Sequence, residues 1–376
     1  MVAMSRDWIA VADDALDVGE ACLLATVVRL DGSGYGRPGA RLLATESGLL
    51  VGYISGGCLE RDLIRRAWPA TRSGPRVISF DTRGNAVGPD RHNTGCEGVV
   101  HVLCRRLEHR DDDAVRIPRR VRDGTNPIDI ATAYRVGDDS AFRIGEIVPA
   151  DDPRIGVHPP RPGRWQRLGD GTEVLWECLT RPRRLVIVGG GDDALPVAVM
   201  GGRIGRRVTI VEPRTGSVTG GRFGDASVVA SVEAAGIDGR TDVLLMTHDI
   251  GRDAAALPSA LHAGARTVGV LGPKHRLARL VQRVIAGGRR LTDDEVSRIR
   301  GPIGSDIGGI GPEEIAVSII AELIAIDRGR HDGGLHRRTT PIHDDDVHDD
   351  GVRDDGVRDD SVREPIIAKA TSGPFG

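Results

Sequence analysis

Apolar residues in the first part of the chain form short runs separated by glycine-rich and polar loops, a pattern typical of a small sheet with few helices. The run ACLLATVVRL at 21–30 predicts a strand that is buried on both faces in its middle. The surrounding segments predict helices at 6–18 and 59–68 and further strands ending at Thr45 and at 49–55, 76–81 and 99–107. The pattern therefore predicts a compact N-terminal α+β module over 1–107.

The pattern changes further along the chain. From 108 to 183 it weakens, and three segments, ATAYRV, AFRIGEIV and TEVLWECL, are candidate strands that extend the first sheet. From 184 to 329 apolar strands alternate with helices, which predicts a parallel sheet. From 330 to 376 an aspartate-rich five-residue repeat has too little apolar content to form a core. The predicted fold class is α/β: an N-terminal α+β module, an irregular connector or extension, a C-terminal Rossmann-like domain and a disordered acidic tail.

Composition narrows the class of protein. The 376 residues carry a formal net charge of −3, which argues against a dedicated nucleic-acid binder. The five cysteines are scattered and form no C-x-x-C pair, so we expect a reducing compartment and no zinc framework. The N-terminus has no apolar signal core, and no apolar run is long enough to span a membrane. These features predict a cytoplasmic protein.

A glycine-rich turn at the start of the Rossmann-like region is the strongest general signal for a ligand. Gly189, Gly191 and Ala194 follow the strand LVIV with the G-x-G-x-x-A spacing of a dinucleotide-binding turn. In such a turn, free N–H groups at the start of a helix attract phosphate. Glu212 ends the next strand, in the position of an acidic residue that binds a ribose hydroxyl. Two aspartates at the helix start weaken the attraction for phosphate, so a nucleotide and another ligand both remain open.

Two other loops of the same region carry candidate binding residues. His248 follows the strand DVLLM, at a strand end where ligands bind in this fold class, and could be an acid, a base or a ligand contact. In the alternative interpretation, Thr247 or Asp249 caps a helix and His248 faces water. Asp306 and Gly308 lie in a glycine loop before the last helix, which is either a ligand contact or a tight turn.

Cys58 is the strongest candidate for a functional thiol. It follows two glycines in YISGGCLERD, where a strand gives way to a predicted helix. A helix N-terminus and nearby arginines lower the pKa of a thiol, so Cys58 could be reactive. In the alternative, it is a small apolar residue that closes the turn. Cys22 and Cys104 lie inside apolar strands, where we expect inert packing residues.

The order of these motifs resembles that of the XdhC/CoxI family over about residues 21–325, apart from the irregular middle. The motifs that carry the resemblance are GSGYGRPGARLL, ISGGCLE, GCEG, GGGDDALP, MTHD, GVLGPKHR and PIGSDIGGIGPEEIAVSIIAELIA. The chain departs from the family pattern at Gly34-Tyr35-Gly36, where the family usually has proline after the serine, and at Glu97, where a glycine is usual.

The resemblance implies an accessory protein for a molybdenum hydroxylase of the xanthine or carbon monoxide dehydrogenase type, without turnover of its own. Such a protein binds the molybdenum cofactor, as molybdopterin or its cytosine dinucleotide form. It assists sulfuration with a cysteine desulfurase and insertion into the apoenzyme. The resemblance also implies a homodimer.

The resemblance also assigns two conserved sites. The N-terminal site would contain Ser55, Gly56, Gly57, Cys58 and Glu60, and the C-terminal site Asp306 and Gly308. Arg37 and Arg41 suit the phosphate of the cofactor, and the Cys58 thiolate could contact molybdenum.

Two other functions remain open. The first is an NAD(P)-dependent oxidoreductase that uses the Gly189 turn and His248. The second is a nucleotide-binding regulator that senses redox state through Cys58 and Cys96.

Overall fold

The computed structural model describes residues 2–3, 7–83, 97–124, 126–157, 160, 162–213 and 221–330. Cys96 and residues 331–376 of the predicted tail lie outside the described residues. The chain divides into two compact units, Met1–Pro182 and Arg183–Gly376. Among the described helices, none has the length and apolar character needed to cross a membrane.

The first unit contains a six-stranded sheet with helices on both faces. Its strands follow the spatial order β1-β4-β3-β2-β6-β5, and neighbours are antiparallel except for β1 and β4. These strands are β1 (Val2–Ala3), β2 (Cys22–Gly32), β3 (Arg41–Thr45), β4 (Leu50–Gly52), β5 (Arg76–Asp81) and β6 (Gly98–Leu107). The helices are α1 (Trp8–Asp17), α2 (Glu60–Ala70) and α3 (Asp113–Arg122).

The central strand β2 contributes to two cores because successive side chains in a strand point to opposite faces. Leu23, Ala25 and Val27 belong to the core that contains the buried residues of α2. Cys22 and Leu24 belong to the core that contains buried residues of α1 and α3. Burial on both faces explains why this strand is a nearly continuous apolar run.

The predicted irregular middle is more ordered than its pattern indicates. A second, antiparallel sheet has the order β8-β7-β10-β9, so these strands do not extend the first sheet as expected. Its strands are β7 (Ile128–Arg135), β8 (Ile147–Pro149), β9 (Trp165–Arg167) and β10 (Glu173–Leu179). The two sheets pack face to face through a cluster that includes Val28, Leu103, Tyr134 and Leu175. A second sheet that packs on the first needs its own inward-facing apolar residues. Strands added to the edge of the first sheet would not need them.

Helix α3 was not predicted, because its segment is rich in charge and contains a proline. Asp112 caps the helix by accepting a hydrogen bond from the N–H of Ala114. Pro118 removes one backbone donor from the helix interior, but its ring lies on the buried face with Val115 and Val121. The apolar stripe is narrow, and arginines occupy much of the rest of the helix.

The second unit has the predicted parallel sheet, in the order β13-β12-β11-β14-β15-β16 of a Rossmann fold. The strands are β11 (Arg184–Val188), β12 (Arg207–Val211), β13 (Ser227–Val229), β14 (Thr241–Leu245), β15 (Thr267–Val270) and β16 (Ile299–Arg300). The helices are α4 (Ala194–Arg203), α5 (Ile250–His262), α6 (Lys274–Ala286), α7 (Asp293–Arg298) and α8 (Pro312–Arg328). One core joins the sheet to α5 and α6, and another joins it to α4 and α8. The predicted fold class is confirmed for both units.

A buried ion network lies at the amino end of β14. Asp242 is fully buried and pairs with Arg206 and with Arg266, the latter at 2.6 Å. Both arginines also pair with Asp327 of α8, at 2.6 and 2.8 Å. The network therefore ties the central strand to the last helix of the unit.

Replacing Asp242 by alanine should lower the free energy of unfolding of the second unit by about 3–5 kcal/mol, because the buried Arg206 would lose one of its two carboxylate partners. Urea denaturation followed by far-UV circular dichroism measures the change. Tryptophan fluorescence would not, because Trp8, Trp68, Trp165 and Trp176 all precede the second unit.

Asp294→Ala is the matched control for this prediction. Asp294 pairs with Arg298 at 3.0 Å, but 79% of its side chain is exposed, so its loss should cost less than about 1 kcal/mol. An equal loss in the free energy of unfolding for the two substitutions would show that the buried network stabilises the unit no more than an exposed ion pair does.

Candidate functional site

The turn that carries Cys58 is held by a buried carboxylate. Glu60, the first residue of α2, accepts hydrogen bonds from the N–H groups of Ile54 at 3.2 Å and Ser55 at 2.7 Å, and from the Ser55 hydroxyl at 2.5 Å. The Ser55 hydroxyl oxygen in turn accepts from the N–H groups of Gly57 and Leu59. Ser55 and Glu60 are buried, so these contacts fix the two ends of the turn.

The turn itself is exposed above this network. Gly56, Gly57 and Cys58 are all exposed, whereas Ser55 and Leu59 on either side are buried. Gly57 has a φ of +104°, a backbone conformation that favours glycine. The Cys58 thiol is therefore presented to solvent on a rigid base, which is the accessibility that a functional thiol needs.

The ionised state of Glu60 is favoured by its partners. Burial alone would raise the pKa of this carboxyl group, but the hydrogen bonds from the Ser55 hydroxyl and from backbone N–H groups outweigh burial and hold the pKa below its ordinary value of 4.5. The network is therefore intact at neutral pH.

The first glycine loop lies directly against this turn. A Cβ atom on Gly36 would come within 2.0 Å of the carbonyl oxygen of Ile54, so only glycine allows the two segments to approach this closely. Beside them, Tyr35 and Tyr53 form an edge-to-face pair with ring centroids 5.9 Å apart. Tyr35 is 65% and Tyr53 48% exposed, so an aromatic surface lies next to the exposed turn.

Arg41 and Arg37, the two arginines predicted to bind phosphate, lie in different surroundings. Arg41 forms an ion pair with the buried Glu177 of β10 at 2.8 Å and donates to the carbonyl oxygen of Gly39 at 3.0 Å. Its guanidinium therefore connects the two sheets of the first unit. Arg37 lies half-buried in the glycine loop, between Gly36 and Gly39.

The glycine turn of the second unit has the geometry predicted for it. Gly189 follows β11 with a φ of +116°, and a Cβ atom there would come within 2.6 Å of the carbonyl oxygen of Met246. The turn therefore packs on the end of β14, beside His248. Gly191 precedes α4, which begins at the fully buried Ala194.

The polar groups at this turn bind one another. Glu212 is only 2% exposed and accepts a hydrogen bond from the N–H of Gly190 at 3.3 Å, while Arg252 lies 3.5 Å from its carboxylate. Asp193 lies 2.9 Å from Nε2 of His248. Asp192 pairs with an arginine, Arg222. The N–H of Gly190 thus already has a carboxylate acceptor, and each of the three carboxylates has a cationic neighbour.

His248 has an unusual backbone conformation. Its φ is +57°, which a non-glycine residue seldom adopts and which histidine tolerates better than most. Its side chain is 69% exposed. Asp249, the next residue, caps α5 by accepting from the N–H groups of Gly251 and Arg252, as the alternative interpretation predicted.

The loop of Asp306 and Gly308 is anchored at both ends to α8. Gly304 donates its N–H to Glu322 at 2.6 Å, and Ile310 donates its N–H to Glu314 at 2.9 Å. Asp306 and Gly308 lie on the exposed arc between these anchors. The loop is thus a constrained turn that presents one carboxylate to solvent.

Sequence reasoning missed a basic pocket in the second unit. His248, Ile250, Pro273, His275, Arg276 and Arg279 line a cavity of about 240 Å³ at the starts of α5 and α6. The available signal was the segment PKHR two residues after the strand TVGV, where a helix begins with three basic residues. In the described residues, groups of His, Cys, Asp and Glu do not form a metal-binding cluster.

The fold and these sites define a class: a two-unit protein with an exposed thiol on an α+β unit and a Rossmann-type second unit. Residues 15–81 match the model of the XdhC and CoxI family, and residues 185–323 match the model of the XdhC Rossmann domain. The chain belongs to the XdhC and CoxI family, as its motif order predicted.

Curated relatives and a solved structure are similar over most of the chain. A Bacillus subtilis relative, named as a probable subunit of xanthine dehydrogenase, is 26% identical over 83% of this chain and 95% of the relative. The molybdenum cofactor insertion chaperone PaoD of Escherichia coli is 23% identical over 85% of this chain and 88% of PaoD. The crystal structure of a xanthine dehydrogenase from Bacillus halodurans has a TM-score of 0.63 and 25% identity, covering 87% of this chain and 97% of that chain.

Replacing Glu60 by glutamine should destabilise the first unit by about 1–3 kcal/mol at neutral pH, because the new amide nitrogen cannot accept from the buried donors. The folded pKa of Glu60 is lowered, so its contribution is present above pH 4.5 and is lost as the pH falls through the folded value. The difference between wild type and variant should therefore narrow below pH 4.5. Urea denaturation at several pH values, monitored by tryptophan fluorescence, measures it.

Glu46→Gln is the matched control, since Glu46 forms an exposed ion pair with Arg106 at 2.8 Å. Its loss should change the free energy of unfolding by less than about 1 kcal/mol. A Glu60→Gln variant as stable as this control would contradict the structural role assigned to the carboxylate.

Cys58 should react with iodoacetamide at least about tenfold faster than Cys22 or Cys104 in the native protein. Cys58 is exposed, whereas burial raises the pKa of Cys22 to about 11 and of Cys104 to about 12. Peptide mapping by mass spectrometry after timed labelling gives the three rates separately. Similar rates at all three cysteines would refute the exposure of Cys58.

Proposed function

We propose that this protein is a maturation factor for a molybdenum hydroxylase of the xanthine dehydrogenase or carbon monoxide dehydrogenase type. It acts in the cytoplasm and carries out no turnover of its own. It binds the molybdenum cofactor, holds it while a cysteine desulfurase supplies the terminal sulfur, and delivers it to the apoenzyme.

The observation that carries this proposal is the exposed Cys58 on its fixed turn. A cargo must be able to enter and leave, so its site has to be open, and the side chains of Ser55 and Glu60 are buried beneath the turn. The exposed glycines Gly56 and Gly57 let a bulky ligand approach the backbone closely. A thiolate is a soft ligand that suits a metal–dithiolene group.

The aromatic pair beside the turn fits the other half of such a cargo. Tyr35 and Tyr53 expose aromatic surface, on which a flat heterocycle such as a pterin can stack. We assign the pterin to this surface and the metal end of the cofactor to Cys58. Arg37, in the adjoining glycine loop, supplies positive charge for the cofactor phosphate.

The names of two relatives support the same function. PaoD is called a molybdenum cofactor insertion chaperone, and the Bacillus subtilis relative is called a probable subunit of xanthine dehydrogenase. We extend the chaperone role to this chain. The target apoenzyme, the desulfurase partner, a homodimer and the cytosine dinucleotide form of the cofactor are parts of the proposal that the family resemblance suggests.

The alternative of an NAD(P)-dependent oxidoreductase has weaker support. Its pyrophosphate would lie beside the carboxylates of Asp192, Asp193 and Glu212, and the N–H of Gly190 already donates to Glu212. An N–H that already donates to a carboxylate binds phosphate less well, and the cations beside the turn, Arg222, His248 and Arg252, are paired with these carboxylates.

Cys58→Ala should lose co-purifying molybdenum and pterin, because the proposal places the metal end of the cofactor at this thiol. The protein is purified anaerobically from a host that makes the cofactor. Molybdenum is measured by mass spectrometry and pterin by fluorescence after oxidation. Wild type should contain both, and the variant less than about one tenth as much, a loss on the scale of one strong ligand contact.

Cys178→Ala is the matched control, since this half-buried thiol lies on β10 of the second sheet and is not part of the Cys58 turn. It should retain the cofactor and should still activate the target apoenzyme. Equal cofactor content in wild type and Cys58→Ala would refute the site, and bound NAD(P) without pterin would favour the oxidoreductase.

A further inference from the structure

The carboxyl edge of the second sheet carries two clefts of opposite character. Over β11 and β12, the glycine turn is surrounded by Asp192, Asp193 and Glu212. Over β14 and β15, the cavity of about 240 Å³ is lined by two histidines and two arginines, together with Ile250 and Pro273. The cations at the glycine turn, Arg222, His248 and Arg252, are each paired with one of these carboxylates, whereas the second cleft has cationic groups in excess.

The start of α6 is electrostatically unfavourable without an anion. Pro273 is its N-cap and provides no side-chain cap, and the first turn contains no acidic residue. Instead, Lys274, His275 and Arg276 begin the helix, where the N–H groups already carry partial positive charge. Placing cations here costs stability, and an anion bound in the cavity would offset that cost.

The charges of the cavity are only partly balanced. Arg276 pairs at 2.6 Å with Asp253, which is fully buried and also accepts from the Thr247 hydroxyl. Asp249 is engaged in capping α5. Arg279, one turn further along α6, is exposed, and in the described part of the chain its guanidinium has neither a hydrogen-bond nor an ion-pair partner. Asp253 thus holds Arg276 in place, and Arg279 remains able to bind a ligand.

We propose that this pocket, and not the glycine turn, binds the phosphate group of a small-molecule phosphate ester. Arg279 and His275 bind the phosphate oxygens directly, Arg276 adds a fixed positive charge, and Ile250 and Pro273 give an apolar wall to the group next to the phosphate. The cavity is smaller than the ~300–1,000 Å³ of pockets that enclose a whole drug-sized ligand, so the rest of the ligand lies outside it. The inference does not depend on the proposed function, which assigns the cofactor phosphate to Arg37 of the first unit.

Titration of the full-length protein with inorganic pyrophosphate, followed by isothermal calorimetry at low ionic strength, tests the pocket directly. Arg279→Gln should weaken binding by about 10- to 100-fold, the size expected for losing hydrogen bonds to a charged group. Arg279→Lys should retain more of the affinity, because it keeps the charge. Far-UV circular dichroism checks the folding of each variant, and an exposed position such as Arg279 should tolerate both changes.

Two control variants distinguish this pocket from nonspecific anion binding and from binding at the glycine turn. Arg203→Gln removes an exposed arginine at the other end of the second unit, in the last turn of α4, and should leave binding unchanged. Asp192→Asn removes an exposed carboxylate from the glycine turn. It should leave the affinity for pyrophosphate unchanged if the ligand binds in the pocket of α6, and it should strengthen binding if the ligand binds at the glycine turn. Unchanged affinity in Arg279→Gln, an equal loss in Arg203→Gln, or a gain in Asp192→Asn would each overturn the proposal.

The source of the phosphate can be identified with the same variants. The proposed function assigns the cofactor phosphate to Arg37, so Arg279→Gln should retain as much pterin as wild type, and a loss of pterin would mean that the cofactor phosphate binds in this pocket instead. If the phosphate in this pocket belongs to a free nucleotide, cytidine or adenosine monophosphate should compete with pyrophosphate in wild type. Pyrophosphate binding needs no cofactor, so the two assays test different proposals. Protein that contains no pterin would count against the proposed function alone. Protein that does not bind pyrophosphate would count against this pocket alone.

Discussion

One kind of contact shapes the glycine loops of this protein: a carboxylate of the chain accepts hydrogen bonds from the N–H groups of the loop. Glu60 does so for Ile54 and Ser55, and Glu212 does so for Gly190. Glu322 and Glu314 do the same for the loop before α8. Buried N–H groups must be paired, and a charged acceptor gives a stronger bond than a neutral one. The loops are therefore held rigid without any ligand.

A contact of this kind affects ligand binding at the glycine turn of the second unit. In a dinucleotide-binding fold the N–H groups at the first glycine turn are left for the pyrophosphate. Here the carboxylate of Glu212 already accepts from that turn, and the aspartates that follow add further negative charge. The Rossmann topology is kept, but we have proposed that the anion-binding site lies further along the same sheet edge, at the starts of α5 and α6. Fold alone therefore does not identify the ligand of the second unit.

Much of the fold could be predicted from the sequence, because period-2 alternation and apolar runs flanked by glycine are strong signals. The first sheet, the parallel sheet and the final helix from Pro312 all follow from such runs. The middle region could not be predicted as well. Helix α3 combines many arginines with Pro118, and the second sheet is recognisable only through the buried partners of Tyr134 and Leu175 in the other sheet.

The candidate sites were predictable in part for the same physical reason. The positions of Cys58 and Gly189 follow from local rules about strand ends and glycine turns. What each polar side chain binds depends on contacts between distant residues, as with Arg41 and Glu177, which are 136 positions apart. Arg41, one of the two arginines predicted to meet phosphate, thus forms a structural ion pair. Arg279 was not predicted, because a lone arginine in a helix is usually a solvated surface residue.

The two candidate sites, one in each unit, would hold their ligands by different forces. A thiol in an open turn can bind a metal centre strongly while remaining accessible to an incoming partner. A small cationic pocket would hold a phosphate by electrostatic attraction, which is weakened by salt and by competing anions. A fully enclosed site would retain its cargo, whereas the exposed turn of Cys58 leaves a path for a cargo to depart. The exposure of this thiol therefore agrees with the proposed role in cofactor transfer, which needs a site that can be emptied.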